Sequence, residues 1–212
     1  MYLPKLHEEN DLGVLHALIG AHPLGTWATQ GDGAIIMNHL PFILDPDRGR
    51  YGTLMCHVSR ANPVWSSFSG SVESVIAFQG AEAYISPSWY VSKTLHGKVV
   101  PTWNYAVVHV HGIPALLDES RLLEHLAQLT AAHEAGRPAP WQLGDAPAEF
   151  IRHMSRQVVG LEIPISRIVG KWKVSQNRSP EDRRGVVAGL AADGDARSRE
   201  MADLVAQAMR DS

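Results

Sequence analysis

The chain has 212 residues, of which 45% are hydrophobic and 19% charged, a composition that excludes a disordered chain and predicts a packed core. Its 19 Lys plus Arg against 22 Asp plus Glu give a formal net charge of −3, which excludes a general attraction to nucleic acid phosphates. A single cysteine excludes an internal disulfide, and neither a signal peptide nor an apolar run of membrane-spanning length is visible. We therefore expect a cytoplasmic protein without a membrane segment.

The first half of the chain predicts one helix followed by short strands. The helix begins near Asn10 or Asp11 and ends before Pro23, with leucines along one side. Six β-like runs follow, separated by glycine- and aspartate-containing turns such as "DPDRG" and "QGAE". The runs cover residues 24–29, 34–44, 51–58, 73–78, 83–86 and 99–117. Six strands with tight connections predict an antiparallel barrel or sandwich.

After Asp118 the hydrophobic period changes to that of helices. The pattern predicts helices at about 122–136, 146–158, 179–190 and 196–210, with a late strand of the same sheet in "GLEIPISRIVGKWKVSQ", 160–176. We predict one domain over 1–178, with helices inserted at about 118–158, and a C-terminal helical tail over 179–212.

The loop "CHVSRANPVW", 56–65, places a hydroxyl and a guanidinium where a strand ends and a short helix begins. Asn62 is a good helix cap, with Pro63 as the first helical residue, and Ser59 and Arg60 lie just ahead. Free backbone N–H groups, a hydroxyl and a bidentate guanidinium together outline a phosphate site. The residues alone leave open the alternative of a capped surface turn with a solvated arginine.

The segment "KVVPTWNYAVVHVHG", 98–112, interrupts a valine-rich strand with polar aromatic chemistry. Thr102, Trp103, Asn104 and Tyr105 offer hydroxyl, indole, amide and phenol groups in four successive positions. This mixture fits a polar aromatic ligand better than an apolar core.

The segment "AFQGAEAYISPSWY", 77–90, reads as a hairpin followed by an aromatic corner. Tyr84, Trp89 and Tyr90 suit either the shielding of a flat ring or a dimer contact, and we favour a packing role.

The segment "GKWKVSQNR", 170–178, alternates charged and apolar residues. On a strand the alternation places Lys171 and Lys173 on one face, which suits a phosphate or an electron-rich ring, or a solubilising edge strand. The run of Gln176, Asn177 and Arg178 after it is dense in hydrogen-bonding groups and favours a ligand.

Several histidines share a strand region without completing a metal site. His109 and His111 lie on one strand face, and His39 or His57 would have to complete the ligand set, but no acidic partner is close in sequence. We predict no metal site. The sequence also lacks a glycine-rich phosphate loop, a nucleophile elbow and a CxxC element.

Taken in order, the segments "MYLPKLH", "HLPF", "HVSRANPVW", "AFQGAEAYISPSWY", "KVVPTWNYAVVHVHG", "IVGKWKVSQNR" and "GVVAGL" closely resemble the PaiB-type FMN-binding family of negative transcriptional regulators. The resemblance covers nearly the whole chain. It implies a mainly β protein with peripheral α-helices: a six-stranded antiparallel split β-barrel that forms a homodimer and holds FMN at the subunit interface. Cys56 and Ser59 depart from the glycine or alanine that relatives often have beside the histidine and arginine, and neither obstructs phosphate binding.

The resemblance also implies where the cofactor lies. It assigns the FMN phosphate to Ser59 and Arg60, and the flavin ring or ribityl chain to the segment around Trp103 and to the late strand, which the partner subunit could supply. The residues predicted to bind FMN are His57, Ser59, Arg60, Asn62, Thr102, Trp103, Asn104, Lys173, Gln176 and Asn177.

The family's regulatory role predicts DNA as a partner, which the tail supports only weakly. In the last predicted helix Glu200 and Asp203 cancel Arg197 and Arg199, and its apolar stripe suggests packing. The alternative function is an FMN-dependent oxidoreductase of the flavin reductase or oxidase type, because a flavin accepts a hydride without a protein acid or base. Whether the protein is an enzyme stays open at this stage.

Overall fold

The structure is a computed structural model that describes residues 1–31, 33–67 and 72–210. The described helices are α1 (Leu12–Ala21), α2 (Val64–Ser67), α3 (Ser92–His96), α4 (Glu119–Glu134), α5 (Ala148–Ser155), α6 (Pro180–Asp193) and α7 (Ala196–Arg210). The described strands are β1 (Glu8–Glu9), β2 (Leu24–Gly31), β3 (Ala34–Pro41), β4 (Ile43–Asp45), β5 (Thr53–Ser59), β6 (Ser74–Ile85), β7 (Thr102–Gly112), β8 (Ala115–Leu116), β9 (Val158–Pro164) and β10 (Arg167–Lys173).

The strands form two sheets. One has six strands in the order β1-β10-β7-β6-β2-β3, and the other has four in the order β4-β5-β9-β8. β2 pairs antiparallel with both β3 and β6, so that Thr26 lies opposite His39 on one side and Ala77 on the other. β5 pairs antiparallel with β9, with Cys56 opposite Leu161. Antiparallel pairing is what the short connections of the sequence predict.

The chain divides into two compact units, each assembled from separate stretches. Unit 1 comprises residues 1–18, 79–108 and 169–212, and unit 2 comprises 19–78 and 109–168. β6 and β7 contribute residues to both units, and the four-stranded sheet belongs wholly to unit 2. Both units therefore depend on contacts between residues that are distant in sequence.

The core of unit 1 lies between its strands and the two C-terminal helices. Side chains from β6, from the segments that follow β6 and β10, and from α6 and α7 are buried together there; they include Ala81, Ile85, Tyr90, Val174, Val186, Leu190, Met201 and Val205. α6 approaches the chain so closely that a methyl group at Gly185 would collide with the Trp89 carbonyl, and one at Gly189 with the Trp89 ring. The C-terminal helices are thus part of the packing of unit 1.

The core of unit 2 is formed by strands of the four-stranded sheet and by the part of the six-stranded sheet that belongs to this unit. Its fully buried side chains include Trp27, Leu54, Ile76, Phe78, Leu161 and Ile163. The rings of Phe42 and Phe78 meet edge to face, with 5.6 Å between their centroids. Gly112 has no room for a side chain, because a Cβ there would collide with the carbonyl oxygen of Pro164.

The predicted "QGAE" turn is wrong, since the two runs predicted around it form the single strand β6. Gly80 lies inside this strand. A Cβ there would come within 3.0 Å of the Leu18 side chain, so the absence of a side chain lets Leu18 pack closely against the strand backbone. The predicted run 34–44 is divided into β3 and β4 at Phe42, whose N–H donates to the Pro23 carbonyl at 2.9 Å. The predicted run 99–117 is divided into β7 and β8.

The predicted helices are present with small shifts at their ends. α6 extends to Asp193, three residues beyond the predicted Leu190, and α2 begins at Val64 instead of Pro63. The last two residues of the predicted tail, 211–212, lie outside the described residues. Within the described ranges, no helix combines the length and the apolar character needed to cross a membrane.

Candidate functional site

An exposed aromatic surface with two lysines lies on the strands of unit 1. β7 alternates in burial, so Trp103 and Tyr105 lie on the face opposite the fully buried Asn104. The rings of Trp103 and Tyr84 meet edge to face at 6.2 Å, and the two side chains are about half exposed. We call this surface the aromatic–lysine face and define it by Tyr2, Tyr84, Trp103, Tyr105, Lys171 and Lys173.

The two lysines of this face are held by the chain itself. Lys171 is only 7% exposed; its Nζ lies 5.2 Å from the centroid of the Tyr105 ring and donates to the Tyr2 carbonyl at 3.1 Å. Lys173 Nζ donates to the hydroxyl of Thr102 and, at 2.7 Å, to the carbonyl of Trp103. Burial, together with the charges of Lys171 and Arg178, lowers the pKa of Lys173. The Lys171 ammonium therefore lies over the Tyr105 ring, and the Lys173 ammonium is fixed at the start of the neighbouring strand β7.

The remaining predicted residues of this region mainly support the turn after β10. Asn104 Nδ2 donates to Ser175 Oγ at 2.9 Å, and Ser175 has a positive φ of 64°. Gln176 donates to the Trp172 carbonyl at 2.6 Å, and its Oε1 lies 3.0 Å from His7 Nδ1. Asn177 is exposed. Asn104 and Gln176 therefore use their amide groups to stabilise this turn, with or without a ligand.

The predicted phosphate loop lies in unit 2, where Arg60 is anchored to the backbone. Its Nε donates to the Arg156 carbonyl at 2.7 Å and its Nη2 to the Val158 carbonyl at 3.1 Å. Ser59 is exposed, and its Oγ accepts from the Ala61 N–H at 3.3 Å, which leaves the hydroxyl proton available to donate. The outer N–H groups of Arg60 and the Ser59 hydroxyl can both serve an anionic group.

Asn62 has a local structural role beside this loop. Its Oδ1 accepts from the Val64 N–H at 3.0 Å, as expected of a helix cap, and its Nδ2 donates to Asn38 Oδ1 at 2.7 Å. The capped-turn interpretation therefore describes Asn62, and Ser59 and Arg60 remain the candidates for an anion.

His57 forms a pair that the sequence analysis did not find. Its Nδ1 lies 3.1 Å from Nε2 of His125 on α4, and His125 is completely buried. Burial, with a smaller contribution from His57, lowers the pKa of His125 to about 4, and burial also lowers the pKa of His57. Both imidazoles are thus neutral at pH 7. The two histidines are 68 positions apart, and no sequence pattern links them.

The predicted cofactor residues therefore fall into two groups. His57, Ser59, Arg60 and Asn62 belong to unit 2, and Thr102, Trp103, Asn104, Lys173, Gln176 and Asn177 belong to unit 1. Contacts join Thr102, Trp103 and Lys173 directly. Among the residues that the structure describes, no three histidine, cysteine, aspartate or glutamate side chains are grouped as metal ligands would be.

Comparison with known proteins identifies the family. Residues 1–167 match the family described as "Putative FMN-binding domain", and the chain belongs to this family. The chain is 29% identical over 205 residues to the Bacillus subtilis protein "Protease synthase and sporulation protein PAI 2", covering 97% of this chain and 96% of the relative. The predicted PaiB-type relationship is confirmed.

Solved structures show the same fold at low sequence identity. The FAD and heme binding protein from Mycobacterium smegmatis superposes with a TM-score of 0.62 at 16% identity, covering 89% of this chain and 80% of that protein. The flavocytochrome Anf3 from Azotobacter vinelandii superposes with a TM-score of 0.58 at 15% identity, covering 84% of this chain and 74% of that protein. The predicted fold class, antiparallel β of the FMN-binding split-barrel type with peripheral helices, is confirmed.

Proposed function

We propose that this protein binds FMN and that the aromatic–lysine face of unit 1 holds the flavin ring. The observation that carries the proposal is the placement of Lys171 Nζ over the Tyr105 ring and of Lys173 Nζ at the Trp103 carbonyl, which brings positive charge and ring surface to one region. A flavin supplies hydride and electron transfer when bound, while the protein binds it, orients it and adjusts its electronics through nearby charge. The membership of the FMN-binding family supports the same ligand.

Titration of the flavin-free protein with FMN and with riboflavin tests this proposal. Flavin fluorescence should be quenched and heat released with both ligands. Lys173→Met should weaken both ligands by a similar factor, roughly ten-fold or more, because a hydrogen bond to a charged group is lost. Lys93→Met removes an exposed lysine of α3 in the same unit and should leave both affinities unchanged. Unquenched fluorescence and no heat at excess FMN would overturn the proposal.

We propose further that the protein is a homodimer in its cytoplasmic setting. β3 is at one end of the six-stranded sheet, and apolar side chains of β2 and β3 are exposed: Leu24 is 63%, Ile35 77% and Met37 60% exposed. Such an edge and surface favour association with another copy. Light scattering should give the mass of a dimer, and Met37→Lys should shift it toward the monomer. A wild-type monomer at micromolar concentration would contradict this proposal.

For the role of the bound flavin we propose the family's regulatory function, with DNA contacted by a surface other than the apolar stripe of α7. Met201 and Val205 of this helix are fully buried, and Leu204 and Ala208 pack against the same core. This packing supports α7 as part of the body of unit 1. A salt-sensitive gel shift of the protein's own upstream DNA by the FMN-loaded protein would support regulation, and no shift at any salt concentration would count against it.

The second candidate is an FMN-dependent oxidoreductase. It is favoured by the half-exposed Trp103 and Tyr84, which leave the aromatic–lysine face open to a second reactant. Anaerobic mixing of the FMN-loaded protein with NADH or NADPH decides this question, because bleaching of the flavin with turnover identifies an enzyme. An unbleached flavin would remove this candidate for these two reductants.

A further inference from the structure

Unit 1 contains a cavity of about 430 Å³ with aromatic walls and an acidic rim, which adjoins the aromatic–lysine face and shares Tyr84 and Trp103 with it. Its lining includes the rings of Tyr84, Trp89 and Trp103 and the carboxylates of Glu82, Asp193 and Asp195. The volume is within the range of small-molecule pockets. We call it the aromatic cavity and infer that it binds a small organic cation with an alkylated ammonium group.

The aromatic walls are held in place on two sides. Tyr84 and Trp103 lie with their ring planes 64° apart, so that they form a corner, and Trp103 Nε1 donates to Glu82 at 3.3 Å. Trp89 is fixed by α6, because Gly189 brings the helix backbone against one side of the indole. Three rings arranged around a space suit a cation, since the face of each ring carries negative potential.

The charges around the aromatic cavity favour a positive ligand. Glu82, Asp193 and Asp195 contribute three negative charges and Arg197 one positive charge, which leaves a net charge of −2. Arg197 is weakly held, with its Nη1 3.3 Å from Glu82 Oε1 and a side chain that is 76% exposed. Net negative charge favours a cation in the aromatic cavity, whereas the aromatic–lysine face carries the positive charges of Lys171 and Lys173.

An alkylated ammonium fits better than a primary amine. Alkyl groups reduce the hydration of the cation and thereby the cost of moving it from water onto ring faces, which is why aromatic cages bind quaternary ammonium ions. The two functions share Tyr84 and Trp103 as wall residues, yet the cation site is complete without flavin. Its test therefore uses the flavin-free protein, and a failure of FMN binding would not decide it.

Calorimetric titration with choline, and with its neutral isostere 3,3-dimethylbutan-1-ol, is the experiment. Choline should bind at least ten-fold more tightly than the alcohol. Tyr84→Leu should weaken choline by about ten-fold. Arg197→Met should tighten choline binding by several-fold, because it removes the positive charge from the rim. Trp141→Leu, a change of a 43% exposed tryptophan that lies outside the aromatic cavity, should have no effect.

Three results would overturn the inference. Equal affinity for choline and the neutral alcohol would show an apolar cavity without preference for charge. Unchanged choline affinity in Tyr84→Leu would place the binding elsewhere, and weaker choline binding in Arg197→Met would contradict the electrostatic argument. The 49% exposure of Tyr84 and the 76% exposure of the Arg197 side chain make both variants compatible with folding, which a thermal melt verifies.

Discussion

His57 Nδ1 and His125 Nε2 lie 3.1 Å apart, and this hydrogen bond joins β5 to α4. The pair requires one ring to donate and the other to accept, so at least one imidazole must be neutral. A second proton on the completely buried His125 would bury a positive charge against the His57 ring, and protonation of both rings would remove the hydrogen bond. The packing of α4 on β5 is therefore sensitive to acid.

We predict a loss of stability on acidification that depends on His125. Its pKa is about 4 in the folded state against 6.5 for an ordinary histidine, so the unfolded chain binds the proton first as the pH falls. The contribution of His125 to the free energy of unfolding is complete above pH 6.5 and is lost as the pH falls toward 4. It amounts to about 3 kcal/mol at most. Urea unfolding between pH 7.5 and 4.5 measures it. His125→Gln should flatten this slope, whereas His133→Gln, at an exposed position of α4, should retain it. Identical slopes in all three proteins would show that the pair is not the acid-sensitive element.

Gly189→Ala should destabilise the protein by about 1 to 3 kcal/mol, because the added methyl group collides with the Trp89 ring. Gly20→Ala is the matched control within a helix, since nothing lies within 4 Å of a Cβ at Gly20. Alanine there should stabilise α1 by about 0.5 to 1 kcal/mol through its helix propensity. Chemical denaturation of the two variants measures the difference. Equal stabilities would mean that α6 can move away from Trp89 without cost.

Glu162→Gln should lower the free energy of unfolding by about 1 to 3 kcal/mol. One oxygen of Glu162 accepts from Arg48 and from Arg121, each at 2.6 Å, and the side chain is only 15% exposed. Although burial acts in the opposite direction, the guanidinium groups of Arg121 and Arg48 hold the pKa of Glu162 below its ordinary value. Glu149→Gln removes an 86% exposed partner of Arg152 and should change the stability by less than about 0.5 kcal/mol. A similar cost for both variants, measured by denaturant unfolding, would contradict this assignment.

Arg60→Ala should weaken FMN by about 1.5 to 3 kcal/mol and leave the affinity for riboflavin unchanged, because riboflavin lacks the phosphate. Titration of both ligands measures the contrast, and Arg50→Ala, at another exposed arginine of unit 2, is the control. An equal loss for the two ligands would mean that Arg60 acts through its bonds to the carbonyls of Arg156 and Val158. Unchanged FMN binding would place the phosphate elsewhere.

Local patterns were sufficient to predict most elements and the shared face of Lys171 and Lys173, because strand alternation is a property of neighbouring residues. They failed at Gly80, where a turn former serves a tertiary contact with Leu18. They also could not join His57 to His125, since the helix pattern around His125 is that of an ordinary leucine-rich segment. Nor does residue type alone reveal that the Gln176 amide hydrogen-bonds to the backbone of its own turn, at Val174 and Trp172.

The composition of unit 1 from three separate stretches has a consequence for synthesis on the ribosome. Ala81, Ile85 and Tyr90 are translated long before Val186, Leu190, Met201 and Val205, the side chains that cover them. Those apolar positions stay without their native partners while roughly a hundred further residues are made, at a pace of about 5 to 20 residues per second. Unit 1 consequently completes its folding only after residue 205 has left the exit tunnel, later than the last residue of unit 2.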